Sequence, residues 1–165
     1  MARVAIVDSG VNPDHPHIRD RGAVTPGPTV TDQGAQVPDI SIDTLGHGTA
    51  VAAAILDLAP GTEIYSVRIF LDRFECPFEH ALAGFEAAID WQPNVINLSL
   101  GTTSPEYCRE LTRLVERCHN ARIRVVAPAS SSGLPSYPGS LEHTDSVVVD
   151  TNLLAYRGRE PCDGQ

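Results

Sequence analysis

Alternation constrains this chain more than any single residue does. Short β-branched and aliphatic runs take turns with stretches of helical period. Residues 3–7 (RVAIV), 63–70 (EIYSVRIF), 94–100 (NVINLSL), 122–127 (RIRVVA) and 146–150 (SVVVD) read as strands. Residues 47–58 read as an Ala-rich helix, apolar nearly all round, which predicts burial. Residues 78–91 carry Leu82, Phe85 and Ile89 at helical spacing, and Pro93 ends that helix. Ser104 as N-cap and Pro105 at the first helical position open a third helix running to about His119. Its apolar stripe is Cys108, Leu111, Val115 and Cys118. This order predicts βαβ units and a three-layer α/β fold, with a mainly parallel sheet and helices on both faces. Residues 20–45, rich in Pro, Gly, Thr and Asp, are expected to form a long surface loop with room for one short strand. Residues 128–145 read as a similar loop.

At 165 residues the chain fits one domain. It can bury roughly 70% of its unfolded surface, enough for a real core. The net charge of −9 argues against nucleic-acid partners. The first strand follows Met1 directly, so no leader is expected, and no apolar run reaches the ~20 residues of a membrane helix. The expectation is a soluble cytoplasmic protein with reduced thiols. Cys108 and Cys118 lie ten residues apart on one helix, ~15 Å along its axis. That is too far for a disulfide. Cys76 and Cys162 have no metal-ligand spacing, and no calcium-loop pattern is legible. Neither a metal nor another cofactor is expected.

Two short motifs carry chemistry. Asp8 follows an apolar strand in VAIVDSG, and His47 opens a helix between Gly46 and Gly48 in GHGTAVAAAI. An acid at a buried strand end can accept an imidazole N–H, fix the tautomer and stabilise the imidazolium. By itself such an Asp is more often a turn residue satisfied by backbone N–H groups. A lone His at a helix start is more often a cap. A helix N-terminus disfavours the imidazolium, so His47 calls for a carboxylate neighbour, and Asp8 is the natural one.

Around these motifs the chain resembles the subtilisin-like serine peptidases, the subtilase family, over nearly its whole length and in order. VAIVDSGVNPDHPHI resembles the family's Asp segment and GHGTAVAAAI its His segment, with Ala50 where the family usually has a second His. APGTEIYSVRIF, AIDWQPNVINLSLGT, RVVAPASSSG and YPGSLEHTDSVVVD resemble the segments that follow. The resemblance implies that Asp8 and His47 are the acid and base of a triad. It implies that Ser99, Leu100 and Gly101 pair with an extended substrate peptide. Ala127, Pro128 and Ala129 would form the opposite wall of the specificity pocket. The oxyanion pattern A-A-G-N is replaced by P-A-S-S, which puts Ser131 at the donor position. A lost donor there costs ~2.7–4 kcal/mol of transition-state stabilisation. The serine run 130–132 also reads as a plain polar loop.

The family's nucleophilic Ser opens a second buried helix beside the His helix, and no G-T-S-M-A-like segment occurs in residues 1–165. The expectation is therefore a single truncated subtilisin-like domain. Its leading reading is a non-catalytic, peptide-binding module or a subunit of a peptide-processing complex. The alternatives are a serine endopeptidase whose Ser comes from a partner chain or from residues outside this chain, and a scaffold protein. Expected partners are an extended peptide or precursor, and a protein partner or second copy on the helix 47–58. Neither nucleic acid nor a membrane is expected.

Overall fold

A computed structural model describes residues 1–149 apart from Asp39 and Ser132. Ser132 of the serine run, Asp150 of the last expected strand and Cys162 therefore lie outside the described residues. A seven-stranded sheet forms the middle layer, in the order β3-β2-β4-β1-β5-β6-β9. Its strands are β1 (Arg3–Asp8), β2 (Ala23–Thr31), β3 (Gly34–Gln36), β4 (Glu63–Arg68), β5 (Val95–Leu98), β6 (Arg124–Pro128) and β9 (Thr144–Val147). All neighbours pair in parallel except β2 and β3. A separate two-stranded hairpin joins β7 (Ser130–Ser131) to β8 (Leu134–Pro135).

The expected three layers are present. α1 (His47–Leu58) covers one face, where Ala52 and Leu56 pack with Val4, Ile6, Val11, Ile18 and Ile64. α2 (Phe78–Asp90) and α3 (Cys108–Asn120) cover the other, with Phe85, Ala88, Leu111, Leu114 and Val115 against Val7, Val67, Ile96 and Val125. Along β1 the burial is continuous, as a strand covered on both faces requires. Gly84 lets α2 lie close to the sheet, since a Cβ there would crowd Ile69 and Val7. Among the described residues no helix is long and apolar enough to cross a membrane.

Three expectations need correction. The 20–45 region is not a loop with one short strand: it holds the nine-residue β2, paired along β4, and then β3. The third helix begins with a single 3-10 turn, Pro105–Tyr107, and Ser104 donates its hydroxyl to Glu106 instead of capping backbone N–H groups. α1 is not buried all round: Ala50, Ala54 and Leu58 are exposed.

Candidate active site

Asp8 ends β1 where the sheet order switches, with β4 on one side and β5 on the other. The crevice outside the carboxyl end of such a strand is where open parallel sheets place ligands. Its side chain has no exposed surface and accepts the Ser9 N–H at 2.6 Å. The same carboxylate lies 2.8 Å and 3.0 Å from Nδ1 of His47. A carboxylate only accepts, so Nδ1 carries the proton and Nε2 is left as the ring's acceptor. The His47 side chain is 48% exposed and meets Phe74 edge-on, with centroids 5.5 Å apart. One ring nitrogen is thus anchored in the core while the ring reaches the surface.

The helix start that carries His47 is held from outside the helix. Gly46, the N-cap residue, has no side chain to offer. Asp43 replaces it: one carboxylate oxygen accepts Leu45 N–H at 3.0 Å and Gly46 N–H at 2.8 Å. The other accepts the Thr49 N–H at 2.9 Å and its hydroxyl at 2.6 Å. The Gly48 N–H goes to Ser9 Oγ at 3.0 Å. Burial pushes the Asp43 carboxyl up, but the hydrogen bonds from Thr49, Gly46 and Ser9 outweigh it and hold the group below the usual carboxylate range. Gly48 matters for contact: a Cβ there would collide with the Gly10 carbonyl oxygen and crowd Asp8. Ser9 and Asp43, both absent from the expected site, are therefore parts of it. A sequence signal for Asp43 exists in Asp-x-Leu-Gly before the helix, since Asp readily accepts from N–H groups two and three residues on.

The expected peptide segment lies beside this pair. His47, Phe70, Phe74, Ser99, Leu100 and Gly101 line one depression of about 340 Å³. An apolar hollow of about 330 Å³ adjoins it through Phe74, Leu100 and Gly101, with Phe78, Tyr107 and Tyr137 in its wall. Among the described residues, Ser99, Leu100 and Gly101 make no backbone hydrogen bond, because β5 ends at Leu98. Their N–H and C=O groups are open to an added strand.

Pro128 ends the adjacent strand β6, and Ala129 follows it. The Ala129 backbone is already engaged, its N–H by Val147 and its carbonyl by Ser136 N–H and Ser140 Oγ. Ser131 sits exposed in β7, opposite Leu134. Among the described residues no hydrogen bond joins it to the Asp8–His47 pair. Among the described residues no hydroxyl or thiol hydrogen-bonds the His47 ring. Burial raises the Cys76 thiol and pushes Cys118 up to about 12, so neither is primed as a nucleophile. Among the described residues no group of three or more His, Cys, Asp or Glu could hold a metal ion.

Fold and pair together define an α/β protein with a hydrogen-bonded Asp–His pair at the switch point of a mainly parallel sheet. The subtilase family model matches residues 2–144, and the chain belongs to that family. The thermostable alkaline protease of Halalkalibacterium halodurans is 31% identical across 92% of this chain and 42% of its own length. Among solved structures, a lanthipeptide protease superposes with a TM-score of 0.73 at 24% identity, covering 88% of this chain and 47% of that one. The epidermin leader peptide processing serine protease from Staphylococcus aureus gives 0.72 at 17% identity, over 88% and 45%. At those identities the two structures speak for the fold. The chain spans less than half the length of these relatives.

Proposed function

We propose that this chain binds an extended peptide along Ser99–Gly101 and presents it to Asp8–His47, as the acid–base half of a serine endopeptidase. One observation carries the reading: the His47 ring and the unpaired Ser99–Gly101 backbone line a single depression. A peptide lying there as an added strand passes the imidazole. In this reading the nucleophilic Ser comes from polypeptide other than residues 1–165. His47 Nε2 takes the serine proton and later returns it to the leaving amine, while Asp8 keeps the proton on Nδ1 and stabilises the imidazolium. A pair buried on one side and open on the other supports this, since peptide binding alone has no chemical need of it.

The second reading keeps the peptide and drops the chemistry. The place of Ser131 favours it, because a residue on an exposed hairpin gives no evident oxyanion donor. In both readings a partner chain or second copy covers the exposed flank of α1. A precursor peptide as the ligand is part of the proposal.

A serine-directed phosphonate probe separates the readings. Applied to the chain as isolated from its native cell, it should label a co-purifying serine, and His47→Ala should abolish the labelling. Peptide binding by calorimetry with no labelled serine in any co-purified polypeptide would leave the non-catalytic reading. Failure to bind any extended peptide would defeat both.

A further inference from the structure

One loop bordering the site has little backbone bonding of its own. The chain stays attached to the Asp8 carbonyl through the N–H groups of Ile69, at 2.8 Å, and Phe70, at 3.2 Å. From Leu71 to Cys76 no backbone–backbone hydrogen bond follows among the described residues. This loop carries Phe74, which meets the His47 ring edge-on with centroids 5.5 Å apart. Phe74 also lines both the depression and the adjoining hollow. Something other than the loop's own ladder must set where Phe74 stands.

The anchor is the Leu71 carbonyl. It accepts the Thr44 hydroxyl at 2.7 Å and Arg68 Nη2 at 2.9 Å. The same Arg68 nitrogen lies 2.8 Å from Thr44 Oγ1 and donates to it, which closes a ring of three hydrogen bonds. Thr44 belongs to the segment directly before α1. Arg68 follows Ser66 on one face of β4, and Ser66 Oγ accepts the Ser41 hydroxyl of that segment at 2.8 Å. One guanidinium nitrogen thus joins the segment that starts the His47 helix to the loop that brings Phe74 to His47.

The fold itself gains little from Arg68. The residue is partly buried, and among the described residues no carboxylate pairs with it. Its Nε is buried without an acceptor. A desolvated donor with no partner works against stability. The use of the group therefore lies in what Nη2 holds, and a charged donor holds more firmly than a neutral one.

We infer that Arg68 is a positioning residue that holds the Phe74 loop against the His47 helix start and so shapes the peptide-binding depression. The effect on peptide rests on the proposed role of that depression, whereas the hold on Phe74 rests on the three hydrogen bonds. Arg68 acts through Leu71 and Phe74. With the clasp open, Phe74 spends time away from the ring, and only the fraction with Phe74 in place presents the native depression.

The test compares wild type with Arg68→Met and Arg68→Lys in the full chain. Met keeps an apolar stem and loses every donor, whereas Lys keeps a charged donor and removes Nε. Nuclear Overhauser effects between the Phe74 and His47 rings, and the ring-current displacement of the His47 proton signals, report their contact. Arg68→Met should lose both signatures and Arg68→Lys should retain them. Tm should move by no more than about 3 °C in either variant, because each also removes an unpaired buried donor. Thr44→Val, at an exposed position, removes the third member of the ring and should weaken the same signatures. Calorimetric binding of an end-blocked, extended Ala-rich hexapeptide should fall about 3–10-fold in Arg68→Met, the worth of one net hydrogen bond, and less in Arg68→Lys. Ring signatures unchanged in Arg68→Met would overturn the inference, and a large fall in Tm beside them would make Arg68 a purely structural residue. Loss of the signatures in Arg68→Lys as well would also overturn it, since a charged donor would not be what holds the loop. Undiminished peptide binding after the signatures are lost would overturn the effect on the depression. No peptide binding by wild type would defeat the proposed function, and the ring signatures would still decide whether Arg68 positions Phe74.

Discussion

Asp43 sets where His47 stands without touching it. Its two carboxylate oxygens tie the loop at Leu45 and Gly46 to the first turn of α1 at Thr49. A carboxyl held below its ordinary value of 3.8 binds its proton more weakly in the folded chain than in the unfolded one. The stability it adds is complete above that ordinary value and disappears as pH falls through the lower, folded one. Asp43→Asn should therefore flatten the acid limb of the stability–pH curve below about pH 4, against a wild type that steepens there. At neutral pH it should cost about 1 kcal/mol, as for a lost helix cap, because the amide NH₂ would face N–H donors. Urea unfolding from pH 2.5 to 7 checks both, and a parallel pair of curves would dismiss the cap. The sequence displays Asp8 and His47 plainly because each borders a patterned element, whereas Asp43 is hidden from helix-start rules. Those rules look at the residue directly before the helix, which is Gly46, and Asp43 acts from three residues further back. Asp8→Asn tests the pair itself. The amide would present a donor to Nδ1 and move the ring proton to Nε2. The Nδ1-bound proton signal of His47 in the imidazole nitrogen spectrum should vanish while the fold survives. Its persistence would refute the assigned tautomer.

At the scale of elements, the pair exists because α1 begins against the end of β1. Gly48 is the point of closest approach, over the Gly10 carbonyl. Gly48 lies within a regular helix, so alanine there carries no conformational penalty of its own and slightly favours the helix. Any loss in Gly48→Ala therefore reports the collision. We expect about 1–3 kcal/mol of destabilisation, as for overpacking, together with a weakened His47–Asp8 hydrogen bond. Denaturant unfolding and the imidazole spectrum measure the two effects, and a variant as stable as wild type would show that the helix start has room to move. The same scale explains what the alternation made legible and what it hid. β1, β4, β5 and β6 are apolar runs covered on both faces, and they fall where the pattern puts them. β2 contains Pro26, Gly27 and Pro28, which argue against a strand. It forms nonetheless because only Thr29–Thr31 pair with β3, so along Ala23–Pro28 one edge needs no N–H donors. The register breaks between Pro26 and Thr29, and Gly27 lets the chain pass close to the Ser66 carbonyl. A strand tolerated at an edge leaves no periodic trace in the sequence, whereas a strand required in the core does.

For the whole molecule, the mismatch lies between composition and surroundings. α1 has the composition of a helix buried on every side, but only Gly48, Thr49, Ala52 and Leu56 are buried, while Ala50, Ala54 and Leu58 face outward. Leu58 is 74% exposed. The proposal that a partner chain or second copy covers this flank rests on that exposure, since contiguous apolar surface is where proteins dock. Ala54→Arg separates association from folding. Arginine is nearly as good a helix former as alanine, so an exposed Ala54→Arg should leave stability within about 0.5 kcal/mol. On a flank that docks against protein, the same change places a long cation in an apolar contact and should dissociate the assembly. Size-exclusion chromatography with light scattering on the chain isolated from its native cell should show a complex or dimer for wild type and a folded monomer for Ala54→Arg. A wild type that runs as a clean monomer at micromolar concentration would mean that this flank is stable in water. The need for a partner on α1, in either functional reading, would then be gone.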